Sequence, residues 1–117
     1  MNILLVINDA PYQTERAYNA LRLATSFAAD PETAVRLFLI GEGARCGAAN
    51  QSPPAGCTYN VEWLLQRFLP GGREVLVCRT CMDARGIRDA DLIQGLQRGS
   101  LDDLNRWTRE ADRVLVY

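Results

Sequence analysis

Residues 3–7 read ILLVI, an unbroken apolar run that follows Met1-Asn2 and stops at the polar pair Asn8-Asp9. A run without alternation suits a strand buried on both faces, the habit of parallel sheets; a strand with one wet face would alternate. The same reading holds for 75–77 and 114–116, and for 35–40, where only Arg36 interrupts. Between these runs apolar residues recur at helical spacing: Ala17, Ala20, Leu21, Ala24 and Ala28; Val61, Leu64, Leu65 and Phe68; Leu101, Leu104, Thr108 and Ala111. Thr14, Asn60 and Ser100 stand where helix starts need caps, while Asp30-Pro31 and Pro70-Gly71-Gly72 stop the helices before the next strand. Strand and helix therefore alternate, predicting an α/β fold on a parallel sheet. The stretch 41–58, rich in Gly, Ala and Pro, reads as a long loop or short helix at the mouth of the sheet, 87–93 as a short helix and 95–98 as a short fourth strand.

A chain of 117 residues, 48% hydrophobic and 23% charged, is the size of one domain with a real core, so 1–117 is expected to be a single domain. A formal charge of −1 provides no global field for a polyanion, which argues against nucleic acid as partner. There is no basic leader and no apolar stretch near the length of a membrane span, so no membrane is expected and a cytoplasmic location is. In that reducing setting the four cysteines read as thiols or metal ligands rather than a disulfide framework. The chain has no histidine, and all 13 basic residues are arginines. This excludes, within one chain, a Cys/His or Ser/His hydrolase, a His-ligated metal and a Lys Schiff base.

Ligands of open parallel sheets bind beyond the carboxyl ends of the strands. Three segments qualify: Asn8, Asp9, Ala10, Pro11 and Tyr12 after the first strand, Gly41-Glu42-Gly43 after the second, and 78–86 after the third. In the last, Cys78 sits at the strand end and Cys81 one turn later, in a segment that begins a short helix and offers Arg79 and Arg85. Guanidinium groups and free helical N–H groups stabilise a thiolate, the nucleophilic form, and would stabilise a persulfide anion equally. A single cysteine is more often a small buried hydrophobe, but two at this spacing beside two arginines favour chemistry.

Other uses of these residues fit less well. Zinc would want a second CxxC or histidines, whereas Cys46 and Cys57 are separated by ten residues and have no spacing logic beyond that of exposed loop thiols. A thioredoxin-type dithiol would follow the first strand, not the third. Gly41-Glu42-Gly43 fails the dinucleotide fingerprint by one position, since the third glycine is Gly47, and reads as a tight turn. Asp9 and Asp83 could act as acid or base at this edge, though acidic residues in such loops are more often caps. Trp63 and Trp107 lie on or beside apolar stripes and are expected in the core or a subunit contact.

With these residues in view, the sequence resembles the DsrE/DsrF-like sulfur-relay family, and within it the YchN-type homo-oligomeric branch. The likeness rests on Asn8-Asp9-Ala10-Pro11-Tyr12 with Glu15, Arg22-Leu23-Ala24, Arg36-Leu37-Phe38-Leu39, Tyr59-Asn60, the turn from Cys78 to Arg85-Gly86, Gly99-Ser100-Leu101, and Trp107-Thr108 with Ala111-Asp112-Arg113-Val114-Leu115. The resemblance implies a three-layer α/β/α domain with about five strands, assembled as a hexamer, and a cysteine that carries sulfur as a persulfide between donor and acceptor proteins. In relay members that cysteine lies seven residues before the arginine of the Arg-Gly pair, which selects Cys78. Cys81 departs from the pattern; it suits the YchN-like branch and would let a Cys78 persulfide discharge as an internal disulfide. Some relay members also work in mixed complexes with sister subunits.

The expectation is thus a sulfur carrier or sulfurtransferase with Cys78 and Cys81 as its reacting thiols. Arg79, Arg85 and Gly86 would stabilise the anion, with Asn8, Asp9, Pro11, Tyr12 and Asp83 lining the site. No metal or cofactor is needed. The alternative is a homo-oligomeric protein that binds a small ligand or senses redox state, and a third reading is a Cys-ligated metal module.

Overall fold

The computed structural model describes residues 1–117. Its strands are β1 (Asn2–Ile7), β2 (Ala34–Leu39), β3 (Glu74–Cys78), β4 (Gln97–Gly99) and β5 (Arg113–Val116). Its helices are α1 (Arg16–Ala28), α2 (Val61–Phe68), α3 (Arg79–Ala84) and α4 (Leu101–Glu110), with 3₁₀ turns at Gly41–Gly47 and Asp89–Asp91. All strand pairs are parallel, in the order β4-β3-β2-β1-β5.

That order explains the layers. The steps β1-α1-β2 and β2-α2-β3 advance in one direction, so right-handed crossovers put α1 and α2 on the same face. The step from β4 to β5 returns across the whole sheet, which puts α4 on the other. Residues of odd number in β1 to β3 face α1 and α2: Ile3, Leu5, Ile7, Val35, Leu37, Leu39, Val75 and Val77 pack with Ala17, Leu21, Leu65 and Phe68 in the larger core. Leu4, Val6, Phe38 and Cys78 face α4 and pack with Trp107 in the smaller one. The three-layer α/β/α architecture expected from the sequence is what forms.

The caps are informative. Asn60 Oδ1 accepts the N–H of Trp63 at 2.9 Å, and Ser100 forms a reciprocal capping box with Asp103. Thr14 acts one residue early: α1 starts at Arg16 with Glu15 in the cap position, and Thr14 Oγ1 accepts the Arg16 N–H at 3.2 Å while donating to Asp9. Arg36 survives in a buried strand because it lies near the strand start, paired with Glu74 and Glu110 and set 5.0 Å over the Trp107 ring.

Four expectations shift. The short helix expected at 87–93 shrinks to the turn Asp89–Asp91, and the fourth strand lies at Gln97–Gly99, where Arg98 is held by Asp83 and Asp89. The buried stripe of α4 is Leu104, Trp107 and Ala111, whereas Leu101 is 70% exposed and Thr108 also faces outward. At 100° per residue Leu101 lies about 120° around the helix from Trp107, so the large indole sets which side is inside. Trp63 likewise stands half-exposed outside the core, covered on one side by Arg67.

Candidate functional site

The parallel order brings the three carboxyl-end loops side by side, and hydrogen bonds join them. Gly43 N–H donates to Asn8 O at 2.9 Å, linking the loops after β1 and β2. Gly41 N–H donates to Cys81 Sγ at 3.1 Å, and Glu42 accepts from Arg85 at 2.8 Å, linking the loops after β2 and β3. The glycines explain why this turn mimics a dinucleotide motif. Gly41 has φ +59°, and a Cβ on Gly43 would fall 1.9 Å from the carbonyl oxygen of Ile7.

Cys78 ends β3 and is the N-cap of α3. The residue is 7% exposed, and its thiol lies 3.3 Å from Thr80 Oγ1. Burial pushes this thiol up, but hydrogen bonds from the Thr80 hydroxyl, the Cys81 thiol and the N–H groups of Cys81 and Thr80 outweigh it, leaving Cys78 below the ordinary thiol range. Cys81 is shifted oppositely. Burial and the neighbouring Cys78 raise it, more than Gly41 N–H and Arg85 lower it. The turn therefore holds one thiol inclined to ionise and one inclined to keep its proton.

The expected supporting residues divide. Arg85 binds Glu42 and donates to the Cys81 carbonyl at 3.1 Å, and its charge acts on Cys81. Arg79 projects its side chain to solvent, so the groups that lower Cys78 are Thr80, Cys81 and two backbone N–H groups rather than a guanidinium. Gly86, at φ +66°, closes α3 with its N–H on Asp83 O, and Asp83 itself pairs with Arg98. Asp9 accepts from Thr14 and pairs with Arg16, which hold its carboxyl below the usual range, so it is a structural acid at the start of α1.

Of the remaining expected lining residues, Asn8 donates to Tyr117 O through both its backbone and its side-chain nitrogen. Tyr12, in a left-handed conformation at φ +71°, donates to Gln51 and accepts the Val61 N–H, stacking on Tyr59; Pro11 beside it is half-buried. Asn8 thus ties the first loop to Tyr117, and Tyr12 ties it to α2. Cys46 is not an exposed thiol: it is fully buried, donates to Asp9 O, and burial followed by the Asp9 charge pushes it up to about 12. Cys57, half-buried, donates to Tyr59 O.

Sequence reasoning overlooked Thr80 and gave Glu42 no role. The signal for Thr80 was present, since a hydroxyl two residues after a strand-end cysteine falls where a cap's side chain receives its donors. Nothing local signals Gly41 as a partner of Cys81, because that contact depends on β2 and β3 being neighbours.

Comparison with known proteins agrees with this architecture. The DsrE/DsrF-like family matches residues 1–117. Protein YchN of Escherichia coli (strain K12) is 37% identical over 98% of this chain and 97% of its own length. The protein MK0008 of Methanopyrus kandleri is 38% identical, covering 98% of this chain and 93% of its own. The crystal structure of the ychN protein from E. coli superposes with a TM-score of 0.91 at 36% identity, covering 100% of this chain and 99% of that one. More distantly, a TusC homolog of Aliivibrio fischeri is 26% identical over 96% of this chain and 95% of its own.

Proposed function

The chain belongs to the DsrE/DsrF-like family, and on that premise we propose that it is a sulfur carrier that holds sulfur as a persulfide on Cys78. The observation that carries the reading is the placement of Cys78, at the carboxyl end of β3 where α3 begins, with Thr80 Oγ1 3.3 Å from its sulfur; this setting favours the anion despite burial. The Cys78 thiolate attacks the terminal sulfur of a donor persulfide, a new S–S bond forms on Cys78, and the donor leaves as thiolate. An acceptor thiolate later attacks the same sulfur and Cys78 leaves as thiolate. Each step conserves charge and needs no metal or cofactor. The kinship with a TusC homolog supports relay partners, a protein donor and a protein acceptor.

Residues 1–117 serve in this reading as one domain of a cytoplasmic homo-oligomer, a hexamer as in the sequence expectation. Self-association is supported by the α4 side of the sheet. Register places Val114 and Val116 on the face of Leu4 and Val6, and they are 40% and 68% exposed. A single helix leaves that face partly open, the arrangement of a surface waiting for a partner.

The test is intact-mass spectrometry after incubation with a small-molecule persulfide. Wild type and Cys81→Ser should gain one sulfur, and Cys78→Ser should gain none. No added sulfur on the reduced, accessible wild-type protein would replace the carrier reading with the ligand-binding or redox-sensing one.

A further inference from the structure

We infer that Cys81 is a second station for the sulfur: the sulfane atom received by Cys78 passes to Cys81, held by the Gly41 N–H, before it leaves the protein. This deepens the carrier reading and rests on it. Three observations carry the inference. Cys78 caps α3 and Cys81 lies three residues on, within that helix, packed against the small core that contains Cys78. Cys78 is nearly enclosed, in the small core with Phe38 and Trp107, whereas Cys81 is only half-buried and packs at the edge of both cores. Finally, Cys81 is fixed from a different strand's loop, with Gly41 N–H on its sulfur and Arg85 on its carbonyl, so it has a set position rather than a free rotor.

The electronic asymmetry agrees with the direction. In sulfur exchange the more basic thiol is the better nucleophile and the less basic one the better leaving group. Cys81 is the raised thiol and Cys78 the lowered one. The step balances. The persulfide anion on Cys78 takes the Cys81 proton onto its terminal sulfur, and the Cys81 thiolate so formed attacks that sulfur. One S–S bond forms to Cys81 as the one to Cys78 breaks, and the bonding pair leaves on Cys78, where Thr80 and the two N–H groups receive the thiolate. One negative charge is present before and after, and nothing is oxidised or reduced.

Arg79 makes the test direct, because trypsin cuts after it and separates 74–79, carrying Cys78, from 80–85, carrying Cys81. Wild type is loaded with one equivalent of a small-molecule persulfide, alkylated at successive times, digested and mapped. The extra sulfur should appear first on 74–79 and then on 80–85 as the first signal decays. In Cys81→Ser it should remain on 74–79, with delivery to an added thiol slowed at least about tenfold. Sulfur that stays on 74–79 in wild type and leaves as fast from Cys81→Ser overturns the second station while the carrier reading stands. A disulfide joining the two peptides with release of sulfide overturns it in favour of internal discharge. Loading of Cys81 in Cys78→Ser at the wild-type rate overturns the order. No sulfur on either peptide defeats the carrier reading itself.

Discussion

Replacing Thr80 by valine keeps the shape of the side chain and deletes the hydroxyl that lies 3.3 Å from Cys78 Sγ. A hydrogen bond to a charged group contributes about 1.5–3 kcal/mol, and solvent access to the exposed Thr80 reduces this to about 1 kcal/mol. That energy is lost from the thiolate and not from the thiol, so the ionised fraction of Cys78 at a pH below its titration falls roughly fivefold. A more basic thiolate is also intrinsically more nucleophilic; with a Brønsted slope near 0.45, about twofold is regained. The net expectation is a Cys78 alkylation rate roughly 2.5-fold lower than wild type at low pH and about twofold higher once both proteins are fully ionised. The two pH–rate curves must therefore cross. Iodoacetamide labelling followed on the tryptic peptide 74–79 reads this without interference from Cys81. Equal curves, or a loss of the same factor at every pH, would refute the assignment of Thr80 as a thiolate donor.

Arg85→Gln separates the two thiols in the same assay: Cys81 should slow about two- to threefold at pH 8 with Cys78 nearly unchanged, because the guanidinium acts on Cys81; a larger effect on Cys78 would restore the arginine role expected from sequence. Gly43→Ala should cost more than about 3 kcal/mol, since its Cβ would meet backbone at 1.9 Å, while Gly41→Ala, strained only by its positive φ, should cost about 1–2 kcal/mol. Urea unfolding that ranks the two the other way would show that the close approach to Ile7 relaxes freely. Cys46, raised to about 12 when folded, ionises first in the unfolded chain, so its contribution to stability is intact below about pH 9 and declines as pH rises towards 12. Between pH 9 and 10.5 this amounts to about 2 kcal/mol, and Cys46→Ala should flatten the urea-midpoint curve over that interval; an unchanged slope would mean that Cys46 is not what titrates.

How far the sequence could be read depended on whether a property was local. β1, β2 and β3 were legible because buried parallel strands write themselves as apolar runs, and Asn60 and Ser100 because a cap acts within three residues. β4 was legible only roughly. Its Gln97 and Arg98 look unlike a buried strand because Arg98 is satisfied by Asp83 and Asp89, acids supplied from elsewhere in the chain. The cysteine turn was visible from its spacing, yet the arginines were placed by proximity in sequence, and geometry sends Arg85 to Glu42, a residue 43 positions away. Cys46 looked exposed because its neighbours are Gly and Ala; small residues are also what a tightly packed turn requires, and Gly47 packs against Leu96 and Val77.

The sheet order also bears on why the cysteines stand after β3. In an open parallel sheet the usual crevice lies where the order reverses, here between β1 and β5. That junction is knitted by backbone: Tyr117 N–H donates to Val6 O, and Asn8 N–H donates to Tyr117 O at 2.8 Å. Asn8, a natural candidate for lining a crevice, is thereby committed to closing one. Two strands away, β3 lies between β2 and the three-residue β4, and its outgoing turn is held by Gly41 and Glu42 on one side and by Arg98 of β4, paired with Asp83, on the other. A thiol there can be held by donors from the adjacent loop and still be approached from outside. That combination is what a group that must receive sulfur from one protein and surrender it to another requires.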